Sequence, residues 1–336
     1  MTDASTNTER GEPRLIVAPA PHLKSASLTT RRMMIDVLIA LAPVLVASLV
    51  VFRGYAAKQV GVCLAGALAA EAVFNAMRRR PFSLGDCSAA VTGLILAFSL
   101  PGTAPWYVGV VGAFVGVGVG KVIFGGLGQN IFNPAMVGRA FVMIAFPTML
   151  GASGYVDVGA KVAAITQATP MTAHKLPPYA VSPLMDLFLG NTNGSLGETS
   201  ALACLLGGLY LCMRRTASWE IPLGALLAAG LWGGIENAAG PQSSWTVLHS
   251  LCGGALMFGA FFIATDPVTS PLTPTGKFIF GAGVGLLVML IRRLSGWPEG
   301  VMFAVLLMNG LVPLINRWTI PRPVGGPVPV KKTEKT

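Results

Sequence analysis

Residues 124–141 read Phe124-Gly125-Gly126-Leu127-Gly128-Gln129-Asn130-Ile131-Phe132-Asn133-Pro134-Ala135-Met136-Val137-Gly138-Arg139-Ala140-Phe141. Two Asn, a Gln, a Pro, an Arg and four Gly are crowded between two apolar runs. A lipid-facing helix does not carry such a stretch, and an ordinary loop does not sit between spans this close. Irregular polar backbone at membrane depth persists only where protein or a cavity supplies its hydrogen-bond partners. The run therefore predicts an all-α integral membrane protein with broken helices and a buried polar site around Asn130, Asn133 and Arg139.

The rest of the chain agrees with that reading. It is 53% hydrophobic and only 11% charged, with a mean hydropathy of +0.66. Apolar runs near the length of a bilayer crossing predict about ten helices, at 35–52, 59–77, 86–100, 104–124, 134–150, 199–213, 220–239, 246–265, 277–295 and 298–315. They divide the chain into an N-terminal segment 1–34, a first bundle 35–150, a loop 151–198, a second bundle 199–316 and a basic tail 317–336.

Charge orients these spans. With the N-terminus inside, seventeen of the 24 Lys and Arg fall on the cytoplasmic side, against Arg53, Lys58, Lys161, Lys175, Arg292 and Arg293 outside. The asymmetry predicts a multi-pass protein of a bacterial inner membrane with both termini cytoplasmic and loop 151–198 external, although the Arg292-Arg293 pair runs against it. Residues 1–34 are polar and basic and lead into a full-length span, so they are expected to stay as a segment rather than act as a cleavable signal. The net charge of +10 follows from the same bias and points to the lipid bilayer, not to nucleic acid. Five cysteines, Cys63, Cys87, Cys204, Cys212 and Cys252, all lie on predicted helices without metal-ligand spacing, and no metal site is expected.

Ser83-Leu84-Gly85-Asp86-Cys87-Ser88-Ala89 recurs as Ser195-Leu196-Gly197-Glu198-Thr199-Ser200-Ala201, each copy opening an apolar span. An odd number of predicted helices begins between the copies, so equivalent spans cross in opposite directions, the pattern of an inverted-topology repeat. The same residues also satisfy a common helix-capping pattern. Glu71, Arg139, Glu236, Asn237, His249, Asn309, Asn130 and Asn133 lie in or beside spans, where a lone charge costs about 2.5–3.5 kcal/mol. All are expected to face the bundle interior.

In these blocks the chain resembles the RnfD/NqrB family: the D-type component of the Rnf ion-translocating electron-transport complexes and, more distantly, the B-type component of the sodium-pumping NADH:quinone oxidoreductase. The resemblance rests on Pro21-His22, on the run at 124–141, on Gly194-Ser195-Leu196-Gly197-Glu198-Thr199-Ser200, and on Ala264-Thr265-Asp266-Pro267-Val268-Thr269-Ser270-Pro271 with Gly276-Lys277. Gly296-Trp297-Pro298-Glu299-Gly300-Val301 and Leu306-Leu307-Met308-Asn309 extend it, so that it covers residues 20 to 320.

The family carries FMN on an outer-loop threonine, esterified through its phosphate by a flavin transferase, in a pattern of Asp, two variable residues, Ser or Thr, usually Gly, then Ala-Thr. The matching positions run from Ala163 through Thr166, Gln167 and Ala168 to Thr169, so the resemblance implies Thr169 as the attachment residue, with Thr166 and Ala168 beside it. Ala163 and Gln167 depart from the pattern. Riboflavin is implied as a noncovalent second cofactor, with Asn130, Asn133 and Arg139 the residues that would hold it. The other Rnf components (A, B, C, E and G) and the flavin transferase are the implied partners. In the family, electron flow between ferredoxin and NAD(H) is coupled to Na+ or H+ movement and belongs to the assembly; no catalytic residue is assigned to this chain alone. Two rival readings stay open: an inverted-repeat transporter or channel, and a flavin-free scaffold protein of the complex.

Overall fold

The first helix, α1 (Thr30–Phe52), starts where the Thr29 hydroxyl accepts the Arg32 N–H at 3.2 Å. The computed structural model describes residues 29–79, 84–150, 169–175, 181–240, 245–295 and 299–321. At Arg53, whose φ of 49° turns the chain sharply, α1 hands over to α2 (Gly54–Met77). There follow α3 (Ser88–Ser99), α4 (Trp106–Val117), α5 (Pro134–Ala145) and the short α6 (Pro147–Leu150). Next come α7 (Pro170–Lys175), α8 (Leu184–Leu189), α9 (Ala201–Met213) and α10 (Glu220–Ala239). The last four are α11 (Val247–Cys252), α12 (Leu256–Phe258), α13 (Pro274–Leu294) and α14 (Val301–Thr319). No strand occurs among the described residues.

The protein is an all-α membrane protein, and each predicted span coincides with helix. Among the described residues, α1, α2, α13 and α14 are long and apolar enough to cross a bilayer as single helices. Several others are shorter than expected, each for a local reason. The span predicted from 86 is helical only over Ser88–Ser99, behind a 3-10 turn Leu84–Asp86 whose Asp86 carboxylate accepts the Ser88 N–H at 2.8 Å. Pro147 splits the span predicted over 134–150 into α5 and α6. Gly253 and Gly254, the latter at φ 68°, split 246–265 into α11 and α12. Both α4 and α12 end in a π turn, Gly118–Val122 and Gly259–Ile263.

Successive crossings alternate between two ends of the bundle. At the near side, where α1 begins, Asp36 pairs with Arg214 at 3.3 Å and Lys277 donates to the Ser218 hydroxyl at 2.6 Å. At the far side Lys58 donates to the Ala104 carbonyl at 3.0 Å and Lys175 to that of Ser295 at 3.0 Å. At the end of loop 151–198, Thr192, Asn193 and Ser195 are buried against the bundle. There Leu196 and Gly197 donate their N–H groups to the carbonyls of Leu100 and Phe98, at 3.2 and 2.7 Å, and plug the unfinished end of α3. Val50, Ile144, Leu231 and Leu307 point outward and exposed, as apolar side chains do when lipid is their solvent.

With lipid on the outside, helix association relies on close packing rather than on exclusion of water, and small residues permit it. On α13 a Cβ at Gly281 or Gly285 would lie 2.2 Å from the carbonyl oxygen of Ile221 or Ala225 on α10. On α9 one at Gly207 would meet the Ala40 carbonyl of α1 at 2.0 Å, and on α5 one at Gly138 would meet that of Gly112 on α4 at 2.2 Å. Gly281→Leu or Gly285→Leu should therefore force α10 and α13 apart and destabilise the fold by about 1–3 kcal/mol or more. Gly61→Leu on α2, with nothing within 4 Å of its Cβ position, is the control. Unfolding in detergent should separate the two classes, and equal stability of Gly285→Leu and Gly61→Leu would refute the packing argument.

Candidate functional site

Two regions collect polar groups inside the bundle. The near-side one begins at Asn133, the N-cap of α5, whose side-chain oxygen accepts the N–H groups of Ala135 and Met136 at 3.0 and 3.3 Å. Its amide nitrogen donates to the Ile263 carbonyl at 3.3 Å, and its own N–H reaches Asn309 Oδ1 at 3.2 Å. Asn309 in turn donates to the Thr269 carbonyl at 3.0 Å, tying in the turn 264–271. Nearby, Lys121 in the π turn of α4 pairs with Glu71 on α2 at 2.6 Å, with side chains 3% and 1% exposed, and also bonds Ser88 at the start of α3. Asn130, Asn133, Lys121, Ser88 and Asp266 share a cavity of about 70 Å³ with Met33 and Met34. Ligand sites for small organic molecules occupy roughly 300–1,000 Å³. As arranged here, these residues do not fit a riboflavin ring system.

The far-side region is larger. A cavity of about 810 Å³ lies between α7, α10 and α13, walled by Thr172, His174, Lys175, Glu236, Trp245, Arg292 and Arg293 together with Met171, Ile235 and Met289. Thr169 caps α7: its hydroxyl oxygen accepts the Thr172 N–H at 3.3 Å and lies 2.9 Å from the Thr172 hydroxyl. Thr169 is thus one side chain removed from the cavity wall, although it is itself buried. His174 stacks on Trp245 with ring centres 4.3 Å apart, and the indole N–H donates to Ser250 at 2.8 Å, fixing a flat aromatic face. Burial lowers the pKa values of both His174 and Lys175; Glu236 opposes this at His174, and Glu299 at Lys175.

Arg292 joins this cavity to a buried ionic group. Its two terminal nitrogens donate to the carbonyls of Ser250 and Gly253, at 2.8 and 2.9 Å, and one also meets Glu299 Oε1 at 3.2 Å. Among the described residues its Nε finds no partner. A little deeper, Arg139 of α5 lies 3.6 Å from Glu198, the acid of the second repeat copy. Gly254 has room for no side chain here, since a Cβ would sit 1.5 Å from Glu299 Oε1.

Asn130, Asn133 and Arg139 are neighbours in the sequence, and the structure separates them. The two Asn line the near-side cavity, whereas Arg139 belongs with Glu198 and the far-side charges. Asn130 Oδ1 is buried without a partner among the described residues; Asn133 is committed to capping. Thr166 and Ala168, like Ala163 and Pro21-His22, lie outside the described residues. Glu71, His249 and Asn309 are buried, and Glu236 and Asn237 face the far-side cavity. The sequence alone assigns no site role to Arg292, Glu299 or Trp245. A signal is present for one of them, because Arg292-Arg293 contradicts the charge asymmetry and Arg292 proves to be an interior group.

The chain matches the model of the NQR2, RnfD, RnfE family over residues 16–325. It is 39% identical over 327 residues to the D component of the Na(+)-translocating ferredoxin:NAD(+) oxidoreductase complex of Acetobacterium woodii, with 96% of this chain and 99% of that protein covered. It is 41% identical over 324 residues to the D component of the ion-translocating oxidoreductase complex of Stutzerimonas stutzeri, covering 88% and 92%. The D component of the proton-translocating ferredoxin:NAD(+) oxidoreductase complex of Clostridium ljungdahlii is 37% identical over 324 residues, covering 91% and 94%.

The near-side pair gives a stability test. Lys121→Met leaves the Glu71 charge without its cation and should cost about 3–5 kcal/mol, whereas Glu71→Gln with Lys121→Met removes both charges and should recover most of it. Denaturant midpoints of the single and double variants decide; a double variant as unstable as the single one would mean that the pair is not the stabilising unit.

Proposed function

The chain belongs to the NQR2, RnfD, RnfE family, and from that membership we propose that it is the membrane-embedded D component of an ion-translocating oxidoreductase complex. In this reading it holds FMN as a phosphoester on Thr169 and relays electrons between the complex's flavins and iron–sulfur partners. The supporting observation is the far-side cavity: of a size for a flavin, beside Thr169, with one flat aromatic wall and several cations. The buried Nε of Arg292, a donor without an acceptor among the described residues, fits an anionic group there.

Bound FMN supplies electron transfer in steps of one or two. The chain's residues supply position and charge. Esterification removes the Thr169 hydroxyl proton but leaves its oxygen free to accept the Thr172 N–H, so the cap of α7 survives attachment. Arg292, Arg293 and Lys175 favour negative charge in the cavity, and an anion there would offset the burial that lowers the Lys175 pKa. His174 on Trp245 offers a planar surface, while Met171, Ile235 and Met289 keep that end apolar. Electron flow between ferredoxin and NAD(H), coupled to Na+ or H+ movement, is then shared with the other proteins of the complex, and maturation requires a flavin transferase. The relatives' names include both sodium and proton translocation, so similarity does not choose the ion.

For orientation we take the near side as cytoplasmic and the far side, with Thr169, as external. The charge asymmetry supports this, and burial of Arg292 removes one of the charges that opposed it.

Thr169→Ala should abolish covalent flavin with insertion of the chain intact, and Thr169→Ser should retain it. In-gel flavin fluorescence after denaturing electrophoresis, with intact mass, reads both on chain co-expressed with an active transferase. Flavin retained in Thr169→Ala would move attachment to Thr166 or Thr172, and a wild-type chain without flavin would favour a transporter or scaffold.

A further inference from the structure

Arg292 faces two ways. On one side is the far-side cavity; on the other is Glu299, two residues before α14, with Oε1 3.2 Å from the guanidinium. Glu299 Oε2 is buried and without a partner among the described residues, while the side chain as a whole keeps 14% of its exposure. The groups facing this carboxyl come from every neighbouring element: Arg292 of α13, Glu198 before α9, Arg139 of α5, Lys175 of α7 and the backbone at Ala255. Two carboxylates thus share two close guanidiniums, and the guanidinium of Arg292 also serves two backbone carbonyls. A further negative charge in the cavity draws on the same Arg292. Glu198 Oε1 also lacks a hydrogen-bond partner among the described residues, but it is the atom that lies 3.6 Å from Arg139 and its side chain is only 6% exposed, whereas the unpartnered Oε2 of Glu299 is the oxygen turned away from its guanidinium, on a side chain with more access to water.

We infer that Glu299 is a proton-accepting carboxylate coupled through Arg292 to the redox group of the far-side cavity, gaining one proton when that group becomes negative and releasing it on reoxidation. The inference rests on the flavin reading above. Glu299 does not touch the flavin; it is a positioning residue that adjusts the charge around it. The balance for a two-electron step is simple. Two electrons arrive from the complex's electron donor, one proton from solvent joins the flavin to give a monoanion, and a second forms an O–H bond on Glu299, with no other bond changed. Burial, opposed by Arg292 and reinforced by Glu198, pushes the Glu299 carboxyl up to about 7, so both protonation states are reachable around neutral pH.

The test is a redox titration of the flavin on the assembled complex at pH values on either side of neutral, with wild type, Glu299→Gln and Glu299→Asp. In wild type the reduction equilibrium should carry an additional tenfold dependence per pH unit, about 30 mV for a two-electron couple, on the alkaline side of about pH 7, where Glu299 is ionised before reduction, and should lose it on the acid side, where Glu299 is already protonated in both states. Glu299→Gln should lose that increment and Glu299→Asp should keep it. An identical pH slope in wild type and Glu299→Gln overturns the role of Glu299 while leaving the flavin reading standing. Absence of covalent flavin from the wild-type chain overturns both. If Glu299→Gln does not insert, the wild-type complex still decides: with isotope-labelled glutamate, the reduced-minus-oxidised infrared spectrum should gain a protonated carboxyl band. A spectrum without that band across the pH range refutes the inference.

Discussion

Every interruption of a helix inside a bilayer leaves amides and carbonyls that lipid cannot satisfy, and this architecture follows from how they are met. Asn133 alone serves three elements, capping α5, donating its side-chain amide to the carbonyl of Ile263 and its backbone N–H to Asn309 of α14. Arg292 does the corresponding work at the break between α11 and α12, holding the carbonyls of Ser250 and Gly253. The end of α3 is closed by backbone, from Leu196 and Gly197. Polar side chains in the core are therefore occupied first with the backbone, and only what is left over is available for chemistry.

That distinction separates the two polar regions. At the near side Lys121 and Glu71 form an almost wholly buried pair beside a small void, where Asn130 Oδ1 is the lining amide oxygen left without a partner among the described residues. At the far side the ionic group is incomplete, retains unpaired polar atoms among the described residues and opens onto a cavity with an aromatic wall. A closed pair stabilises one arrangement. An open group can exchange charge with whatever enters beside it.

Much of the fold was legible in the sequence, because ten apolar runs in a chain with few charges leave little choice of class. The lengths of the helices were not, since Pro147, Gly253-Gly254 and the two π turns interrupt runs that hydropathy alone reads as continuous. Within the candidate site, Thr169 was reached by motif and Asn133 by its polar setting. Arg139 was grouped with Asn133 because six residues are few along the chain. Those six residues are also most of two helical turns, enough to carry it toward the opposite face of the bilayer. Glu299 and Trp245 gave little warning, since a single acid or indole at a helix boundary is ordinary and its meaning comes from Arg292 and His174, which are distant or unmatched in sequence.

The π turns at Gly118–Val122 and Gly259–Ile263 have a consequence of their own. An α-helix advances about 100° per residue, so one extra residue in a turn rotates everything beyond it by roughly that angle while barely lengthening the helix. Lys121 lies within the first of these turns and Thr265 just beyond the second, and both face the near-side cavity. The wall of that cavity is thus set by angular register as much as by composition. A single-residue deletion in either turn would preserve the hydropathy profile and the count of crossings, yet would swing the near-side polar groups about a quarter turn toward lipid.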